Sequence, residues 1–187
     1  LKEFEPLAEQ GNAEAQSYLG GMYYFGEGVP QNYKAAFKWN RLAAEQGYAP
    51  SQSSLGNMYK EGHGVQKDYK AAVKWYRLAA KQGSAFAQTD LGLMYKNGHG
   101  VTRNYRIAKD WFAVAAKKET AIVNYSAHYN LGLMHLEGKG TLQDYIRAHM
   151  WLNIAASKGR DPRARKSRDI VEKKMAPTDI STAQKLA

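Results

Sequence analysis

The sequence contains no cysteine among its 187 residues. Disulfide bonds, zinc sites built on thiolates and cysteine nucleophiles are therefore excluded together. The same absence leaves the cellular compartment open, because only an abundance of cysteine would point to an oxidising one.

Long hydrophobic runs are also missing. No stretch approaches the roughly 18 consecutive apolar residues of a membrane-spanning helix, and no signal-peptide pattern is present. The composition, 44% hydrophobic and 24% charged, is typical of a folded rather than a disordered chain. The first residue, Leu1, lies within an amphipathic pattern, so we expect further sequence to precede it.

Acidic residues are outnumbered by basic ones: 17 Asp and Glu against 27 Lys and Arg give a formal net charge of +10. Several cations are spaced three or four residues apart, which places them on one side of a helix: Lys34, Lys38 and Arg41, and again Lys70, Lys74, Arg77 and Lys81. A solvated outer face is the simplest interpretation. A nucleic acid or another polyanion remains the alternative partner, although no base-stacking aromatic motif accompanies the basic stripe.

Internal repetition is the most prominent feature that is present. Residues 59–83 read YKEGHGVQKDYKAAVKWYRLAAKQG, and a shift of 36 residues in either direction gives YYFGEGVPQNYKAAFKWNRLAAEQG and YKNGHGVTRNYRIAKDWFAVAAKKE. A further shift of 40 residues gives HLEGKGTLQDYIRAHMWLNIAASKG. A period between about 20 and 50 residues is typical of a solenoid, in which each unit buries its apolar face against its neighbours. Positions that recur in every copy are therefore explained first by packing.

Each copy predicts two helices. The first carries Leu-Gly in its middle and ends at a glycine that can adopt the left-handed conformation: Gly26, Gly62, Gly98 and Gly138. The second begins after a short polar residue that can accept a hydrogen bond from an unpaired backbone N–H: Asn32, Asp68, Asn104 and Asp144. The mid-helix glycine costs about 1 kcal/mol relative to alanine. It therefore predicts close approach of the second helix, whose Ala36 and Trp39 in the first copy would fill the groove.

The letters A-x-A-Q-x-x-L-G-x-M-Y-x-x-G-x-G-V, followed by a cap residue, Y-x-x-A-x-x-W and A-A-x-Q-G, resemble the Sel-1-like repeat, a relative of the tetratricopeptide repeat. Four copies fit residues 12–47, 48–83, 84–123 and 124–159. Residues 1–11 are similar to the second helix of a truncated earlier copy, and 160–187 to a terminal capping segment. The fourth copy departs locally, with His128 and His135 in place of the glutamine and tyrosine and a lengthened junction at Thr120–Val123.

The resemblance implies an all-α fold. It implies a single repeat domain, a right-handed α-α superhelical solenoid of helix-turn-helix repeats with a C-terminal capping segment. Proteins of this kind bind other proteins, frequently as adaptors. In bacteria they are often exported, so the resemblance favours a periplasmic or secreted protein over a cytoplasmic one.

The Gly-His-Gly loops and the other histidines raise the question of a phosphate or metal site. A phosphate loop needs a preceding strand and a following lysine, and both are missing. His63 and His99 would lie roughly 10 Å apart in stacked copies. His128 and His135 are two helical turns apart, about 10 Å, which is too far for one metal ion. We therefore expect no metal and no cofactor, and we expect His63 to contribute little.

No catalytic motif of a hydrolase or metalloprotease occurs, so we expect no catalytic residues and no enzymatic activity. A catalytic site assembled across copies stays open as the third possibility.

Positions that differ between copies mark the expected binding surface. On each first helix these positions lie on one side, which lines the concave groove in the tetratricopeptide architecture that the sequence resembles. An apolar stripe rimmed by charges fits a peptide or helix better than a small polar substrate. The open alternative is that several of these side chains pack under the neighbouring repeat. The predicted partner-binding residues are Tyr24, Phe25, Asn57, Lys60, Phe86, Leu93, Lys96, Tyr129, Leu133 and Leu136.

The sequence thus favours a monomeric, non-enzymatic scaffold or adaptor that binds a peptide or helix of another protein. A basic solenoid that binds nucleic acid or another polyanion is the alternative, and an enzyme is the third class. The basic segment 158–174 predicts a polar terminal helix that shields the last repeat. A tether to an acidic partner or membrane surface would use the same residues.

Overall fold

The structure is a computed structural model that describes residues 4–117, 124–158 and 162–187. Within these ranges the chain is helical and has no strand. None of the described helices has the length and hydrophobicity that crossing a bilayer requires. The helices are α1 (Phe4–Glu9), α2 (Ala13–Phe25), α3 (Tyr33–Glu45), α4 (Ala49–Glu61), α5 (Tyr69–Lys81), α6 (Ala85–Asn97), α7 (Tyr105–Ala116), α8 (Asn124–Glu137), α9 (Tyr145–Lys158), α10 (Pro162–Glu172) and α11 (Pro177–Leu186).

The chain divides into two compact units. The first extends to Ala87 and includes His99–Val101, and the second comprises Gln88–Gly98 and the residues from Thr102 onward. In the first unit α1 packs on α2, α2 on α3, α3 on α4 and α4 on α5. In the second unit α7 packs on α8 and α8 on α9. The predicted all-α fold of repeated helix-turn-helix units is confirmed.

The ends of the helices are closed as the sequence predicts. The side-chain oxygen of Asp68 accepts from the backbone N–H groups of Lys70 (2.8 Å) and Ala71 (3.1 Å) at the start of α5. The equivalent residues Asn32, Asn104 and Asp144 cap α3, α7 and α9 in the same way. At the end of α4, Gly62 has φ +80° and its N–H donates to the carbonyl of Met58. This left-handed conformation carries little cost for glycine alone.

The second glycine of each Gly-x-Gly loop has a different role, which the sequence analysis missed. A Cβ on Gly64 would collide with the backbone carbonyl of Tyr33, at the start of the second helix of the preceding copy. Gly100 approaches Tyr69 in the same manner within the first unit, and Gly140 approaches Tyr105 within the second. The loop thus holds one copy against the next, and this contact accounts for the recurring pair of glycines.

The mid-helix glycines mark close approach of the second helix, as expected, but the atoms nearest to them belong to neither the alanine nor the tryptophan that was predicted to fill the groove. A Cβ on Gly56 would lie 2.6 Å from ring carbons of Tyr76, the residue that follows Trp75 in the sequence. The nearest atoms to the other three glycines also belong to the residue after the tryptophan: Asn40 for Gly20, Phe112 for Gly92 and Leu152 for Gly132.

Recurring glutamines connect consecutive copies in the first unit. The buried Gln52 donates from Nε2 to the carbonyl of Ala44 (3.2 Å) and accepts at Oε1 from Gln82 Nε2 (2.8 Å). Gln16 makes the matching pair with Gln46, also at 2.8 Å. A buried amide is tolerated when both its donor and its acceptor have partners. These pairs explain why glutamine recurs in both helices of the repeat.

The C-terminal helices of the second unit pack on the last repeat. Helix α10 contacts α9 and α8, and α11 contacts α9. Val171 and Ala183 are fully buried in these contacts. The buried His149 on α9 lies with Nε2 2.7 Å from Oε1 of Glu172 on α10. Arg163, Arg165 and Lys166 of α10 are exposed, while its Ala164 and Val171 are buried against the repeat.

Candidate partner-binding surface

A cavity of about 320 Å³ opens in the first unit beside α2 and α4. Three of the predicted partner-binding residues, Tyr24, Phe25 and Asn57, come together in its wall. The sequence analysis did not predict the contribution of α3 to this wall. The complete lining is Gly21, Tyr24, Phe25, Asn40, Ser54 and Asn57.

The cavity exists because the first copy has small residues where the other copies have larger ones. Gly21 stands where the later copies have Asn57, Leu93 and Leu133. Asn40 stands where they have Tyr76, Phe112 and Leu152. A Cβ on Gly21 would meet nothing within 4 Å, so the space above this glycine is open. Comparison of the copies at these two positions could have revealed the cavity in the sequence.

The floor of the cavity carries amides with unused hydrogen-bonding capacity. Asn40 is 3% exposed and donates from Nδ2 to the carbonyl of Ala36 at 3.0 Å. This bond fixes the orientation of the amide, and no described residue donates to its Oδ1. Asn57 Oδ1 accepts from the Tyr76 hydroxyl at 2.7 Å, while no described residue accepts from its Nδ2. One acceptor and one donor are thus left for a ligand.

Tyr24 is held in the cavity wall by the loop of the next copy. Its hydroxyl lies 2.9 Å from Nδ1 of His63, and the His63 ring stacks on Tyr33 with centroids 4.4 Å apart. Burial raises the pKa of the Tyr24 hydroxyl, with Tyr33 and Glu61 acting in the same direction and Lys60 opposing them. The expectation that His63 contributes little did not foresee these contacts with two aromatic side chains.

Phe25 separates two recesses. It lines the cavity described above and also a neighbouring recess of about 370 Å³ that extends to Tyr18 and Tyr48. Its side chain is 67% exposed, which is unusual for phenylalanine. Of the remaining predicted residues in this unit, Phe86 is 59% exposed and Lys60 lies 3.5 Å from Glu61.

In the second unit the predicted binding residues take part in internal packing. Leu93 packs against the core around Phe112. Tyr129 and Leu136 pack against the cluster of Ala148, Leu152 and Val171. Lys96 and Leu133, the last of the predicted residues, are half-buried. Leu93, Tyr129 and Leu136 therefore contact core residues of the second unit, and these contacts include residues of their own repeat as well as of adjoining elements.

Lys96 and Tyr129, two of these residues, each interact with a neighbouring side chain of the second unit. Nζ of Lys96 donates to Asn130 Oδ1 at 2.7 Å, and burial lowers the pKa of the ammonium group although Glu137 acts in the opposite direction. The guanidinium carbon of Arg163 lies 5.3 Å from the centre of the Tyr129 ring. These two side chains are therefore less available to a partner than the exposed Phe25.

The basic face of α5 is confirmed as a solvent-exposed surface. A shallow trough of about 450 Å³ runs along it, with an apolar floor that includes Val73 and Val101. The four basic residues in its wall are Lys70, Lys74, Arg77 and Lys81. The positive charge of this trough favours an anionic partner as the alternative to a peptide.

The histidines of the fourth copy are buried. His128 lies beside Trp151, with ring centroids 5.4 Å apart, and His135 is 7% exposed. Burial lowers the pKa of His135, since desolvation outweighs the attraction of Asp144. In the ranges that the structure describes, no three His, Asp or Glu side chains are grouped closely enough to hold a metal ion.

The paired helices, their glycine contacts and the Gly-x-Gly loops that pack against the preceding copy define an all-helical repeat protein. The Sel1 repeat model matches residues 13–48, 49–84, 85–119 and 126–159. The chain therefore belongs to the Sel1 repeat family.

Two solved structures are similar to this chain. The first is a protective antigen present in uropathogenic Escherichia coli strains and displaying an SLR fold, with 34% sequence identity over 98% of this chain and a TM-score of 0.90. The second is a Sel1 repeat protein from Oxalobacter formigenes, with 37% identity over 80% of this chain and a TM-score of 0.74. This chain spans 38% of the length of the first protein and 58% of the second. No curated protein matches the chain.

Proposed function

We propose that this chain is a non-enzymatic protein-interaction scaffold that binds an extended or helical polypeptide segment along its first helices, with the cavity beside Phe25 as the principal anchor site. The single observation that carries the proposal is this cavity, which combines an exposed aromatic side chain with two amide groups, those of Asn40 and Asn57, that each keep one hydrogen-bonding position. Membership of the Sel1 repeat family supports the general role in protein interaction.

A polypeptide fits this surface better than a small molecule. The two recesses share Gly21 and Phe25 in their walls, so together they offer more contact surface than one closed pocket. Protein interfaces are typically anchored by a few aromatic side chains in desolvated pockets with a polar surround. We therefore propose Tyr24, Phe25 and Asn57 as the central contacts. Lys60 and Phe86 flank them, and Leu93, Lys96, Tyr129, Leu133 and Leu136 contribute less.

The proposal is tested by selecting binding peptides from a displayed random library and measuring their affinity by titration calorimetry. Phe25→Ala should weaken binding of the selected peptides by about 1–3 kcal/mol, since it removes an exposed anchor. The double variant Lys70→Ala/Lys74→Ala is the matched surface control and should change affinity by less than about 1 kcal/mol. Circular dichroism melts of each variant report on folding. A loss with the lysine variant and none with Phe25→Ala would refute the proposal.

The basic trough on α5 favours a second candidate function, the binding of an anionic partner. Its four cations lie along one helix with no acidic residue in the trough wall. Binding through them would weaken steeply as salt is added, because counterions are released from a polyanion on association. A salt titration of double-stranded DNA and of heparin on the wild-type chain and the Lys70→Ala/Lys74→Ala variant separates this function from the first.

A further inference from the structure

We propose that the cavity beside Phe25 is a recognition site for a neutral amide group, carried by an Asn or Gln side chain or by the backbone of the bound polypeptide. The inference rests on the proposed function, because it names the chemistry that this site selects in the partner. The observation behind it is that Asn40 and Asn57 offer one acceptor and one donor in the same cavity.

The two amides are set by bonds inside the protein. Asn40 donates from Nδ2 to the carbonyl of Ala36, which leaves its Oδ1 as an acceptor. Asn57 accepts from Tyr76, which leaves its Nδ2 as a donor. An amide group presents an N–H and a C=O and is complementary to this pair. Ser54, whose hydroxyl can donate or accept, lines the same cavity.

Other ligand chemistries fit less well. None of the six lining residues is charged, so a carboxylate or ammonium group would lose its hydration without gaining a counter-charge. An aliphatic side chain would cover Asn40 Oδ1 and leave a buried acceptor unpaired, which is unfavourable. The rings of Tyr24 and Phe25, which pack edge to face with centroids 5.0 Å apart, give the cavity wall an apolar surface on which the flat face of an amide can rest. A neutral group with both a donor and an acceptor therefore matches the site best.

The first copy departs from the others in a way that supports this specificity. In the second copy Tyr76 covers Gly56 where Asn40 covers Gly20, and its ring fills the corresponding space. A buried asparagine at such a position costs more than an apolar residue unless its amide has partners. A bound amide would supply the partner that the protein itself does not provide to Oδ1.

The test uses the peptides selected on the wild-type chain. Gly21→Leu places in the cavity the residue that the third and fourth copies carry, and Lys70→Ala/Lys74→Ala on the exposed face of α5 is the control outside the cavity. We expect Gly21→Leu to weaken peptide binding by about tenfold or more, while the lysine variant changes it by less than about fivefold. Asn40→Leu, which copies the fourth repeat, should weaken binding similarly and provides a second variant if one of them folds poorly.

The source of the amide is found by changing the peptide. Replacement of its Asn and Gln residues one at a time by Leu, and methylation of its backbone nitrogens one at a time, should each be tolerated except at one position. A loss of about tenfold at an Asn or Gln identifies a side-chain amide, and a loss on methylation identifies a backbone amide. Either result supports the inference if the effect disappears in Asn40→Leu.

Two outcomes contradict the inference and are distinguishable. If Phe25→Ala abolishes binding but Gly21→Leu, Asn40→Leu and all amide replacements are tolerated, the cavity does not recognise an amide and the proposed function stands. If Phe25→Ala has no effect either, the proposed binding surface itself is wrong and the inference falls with it.

Discussion

At the scale of single residues, positions that look alike in the repeat differ in what they contact. His63 and His99 occupy the same place in consecutive Gly-His-Gly loops, and each ring stacks on the tyrosine of the preceding copy. Only His63 is also hydrogen-bonded, to Tyr24 in the cavity wall. The first histidine therefore links helix packing to the binding surface.

His63→Ala should lower the free energy of unfolding by about 1–2 kcal/mol, because it removes a ring stack and a partly buried hydrogen bond. His99→Ala is the matched control and should cost about 0.5–1 kcal/mol, since only its stack is lost. Urea denaturation of the two variants measures the difference. Equal losses would mean that the bond to Tyr24 contributes nothing.

His135 gives a prediction for pH dependence. Burial lowers its pKa below the ordinary value of 6.5, so the folded chain binds this proton less readily than the unfolded chain does. The contribution of neutral His135 to stability is therefore complete above pH 6.5 and is lost as the pH falls from 6.5 towards the lower pKa of the folded state.

His135→Tyr restores the residue of the other three copies at this position and removes the titrating group. We expect this variant to lose less stability than the wild type between neutral and mildly acidic pH, measured by urea denaturation at each pH. The other histidines are common to both proteins, so the difference reports on His135. Parallel pH profiles would contradict the burial of this imidazole in its neutral form.

At the scale of helices, Gly21 on α2 and Gly56 on α4 allow the effect of packing on stability to be distinguished from the effect of helix propensity. The nearest atoms to Gly56 are in the ring of Tyr76, whereas Gly21 faces the open cavity. Both are helical and neither has a positive φ. An added methyl group is therefore expected to change the stability of the protein in opposite directions at the two positions.

Gly56→Ala should destabilise the protein by about 1–3 kcal/mol because the methyl group overlaps the Tyr76 ring. Gly21→Ala should stabilise it by about 0.5–1 kcal/mol because alanine favours the helix and meets no neighbour. Thermal melts of both variants test the pair. A stabilising Gly56→Ala would show that α4 and α5 are not in the close contact described.

The sequence alone predicts most of the helical architecture, because its determinants are local. Cap residues such as Asp68 and terminal glycines such as Gly62 contact backbone groups only a few residues away in the sequence. Residues of the same kind recur at these positions in every copy. Contacts between copies are harder to predict. Gly64 approaches the backbone carbonyl of Tyr33, and Gln82 donates to the carbonyl of Gly47. Both partners lie in the preceding copy, more than a full helix away along the chain, so no local pattern reveals these contacts.

The candidate site was predicted in part for the same reason. Variation between copies identified Tyr24, Phe25 and Asn57, since these lie on one face of the first helices. Asn40 was missed because it lies on the second helix, next to a tryptophan that was assigned the packing role. Leu93 and Tyr129 vary between copies as well, yet they pack against residues of the second unit. Sequence variation does not distinguish a binding position from an adjusted packing contact.

At the scale of the whole molecule, recurring residues build the scaffold and the departures from the repeat create the surface features. The Gly-x-Gly loops, glutamine pairs and helix caps occur in several copies and need no partner to explain them. The cavity beside Phe25 occurs where the first copy departs from the others at Gly21 and Asn40. The net charge of +10 adds the competing possibility of an anionic partner at the exposed face of α5.

The most direct test of this account is NMR mapping of a selected peptide on the isotope-labelled chain. The account predicts that the backbone and side-chain amide signals of Phe25, Asn40 and Asn57 shift on binding, while those of Lys70, Lys74 and Arg77 on α5 stay in place. Shifts concentrated on the three α5 residues, with the cavity signals unchanged, would contradict it.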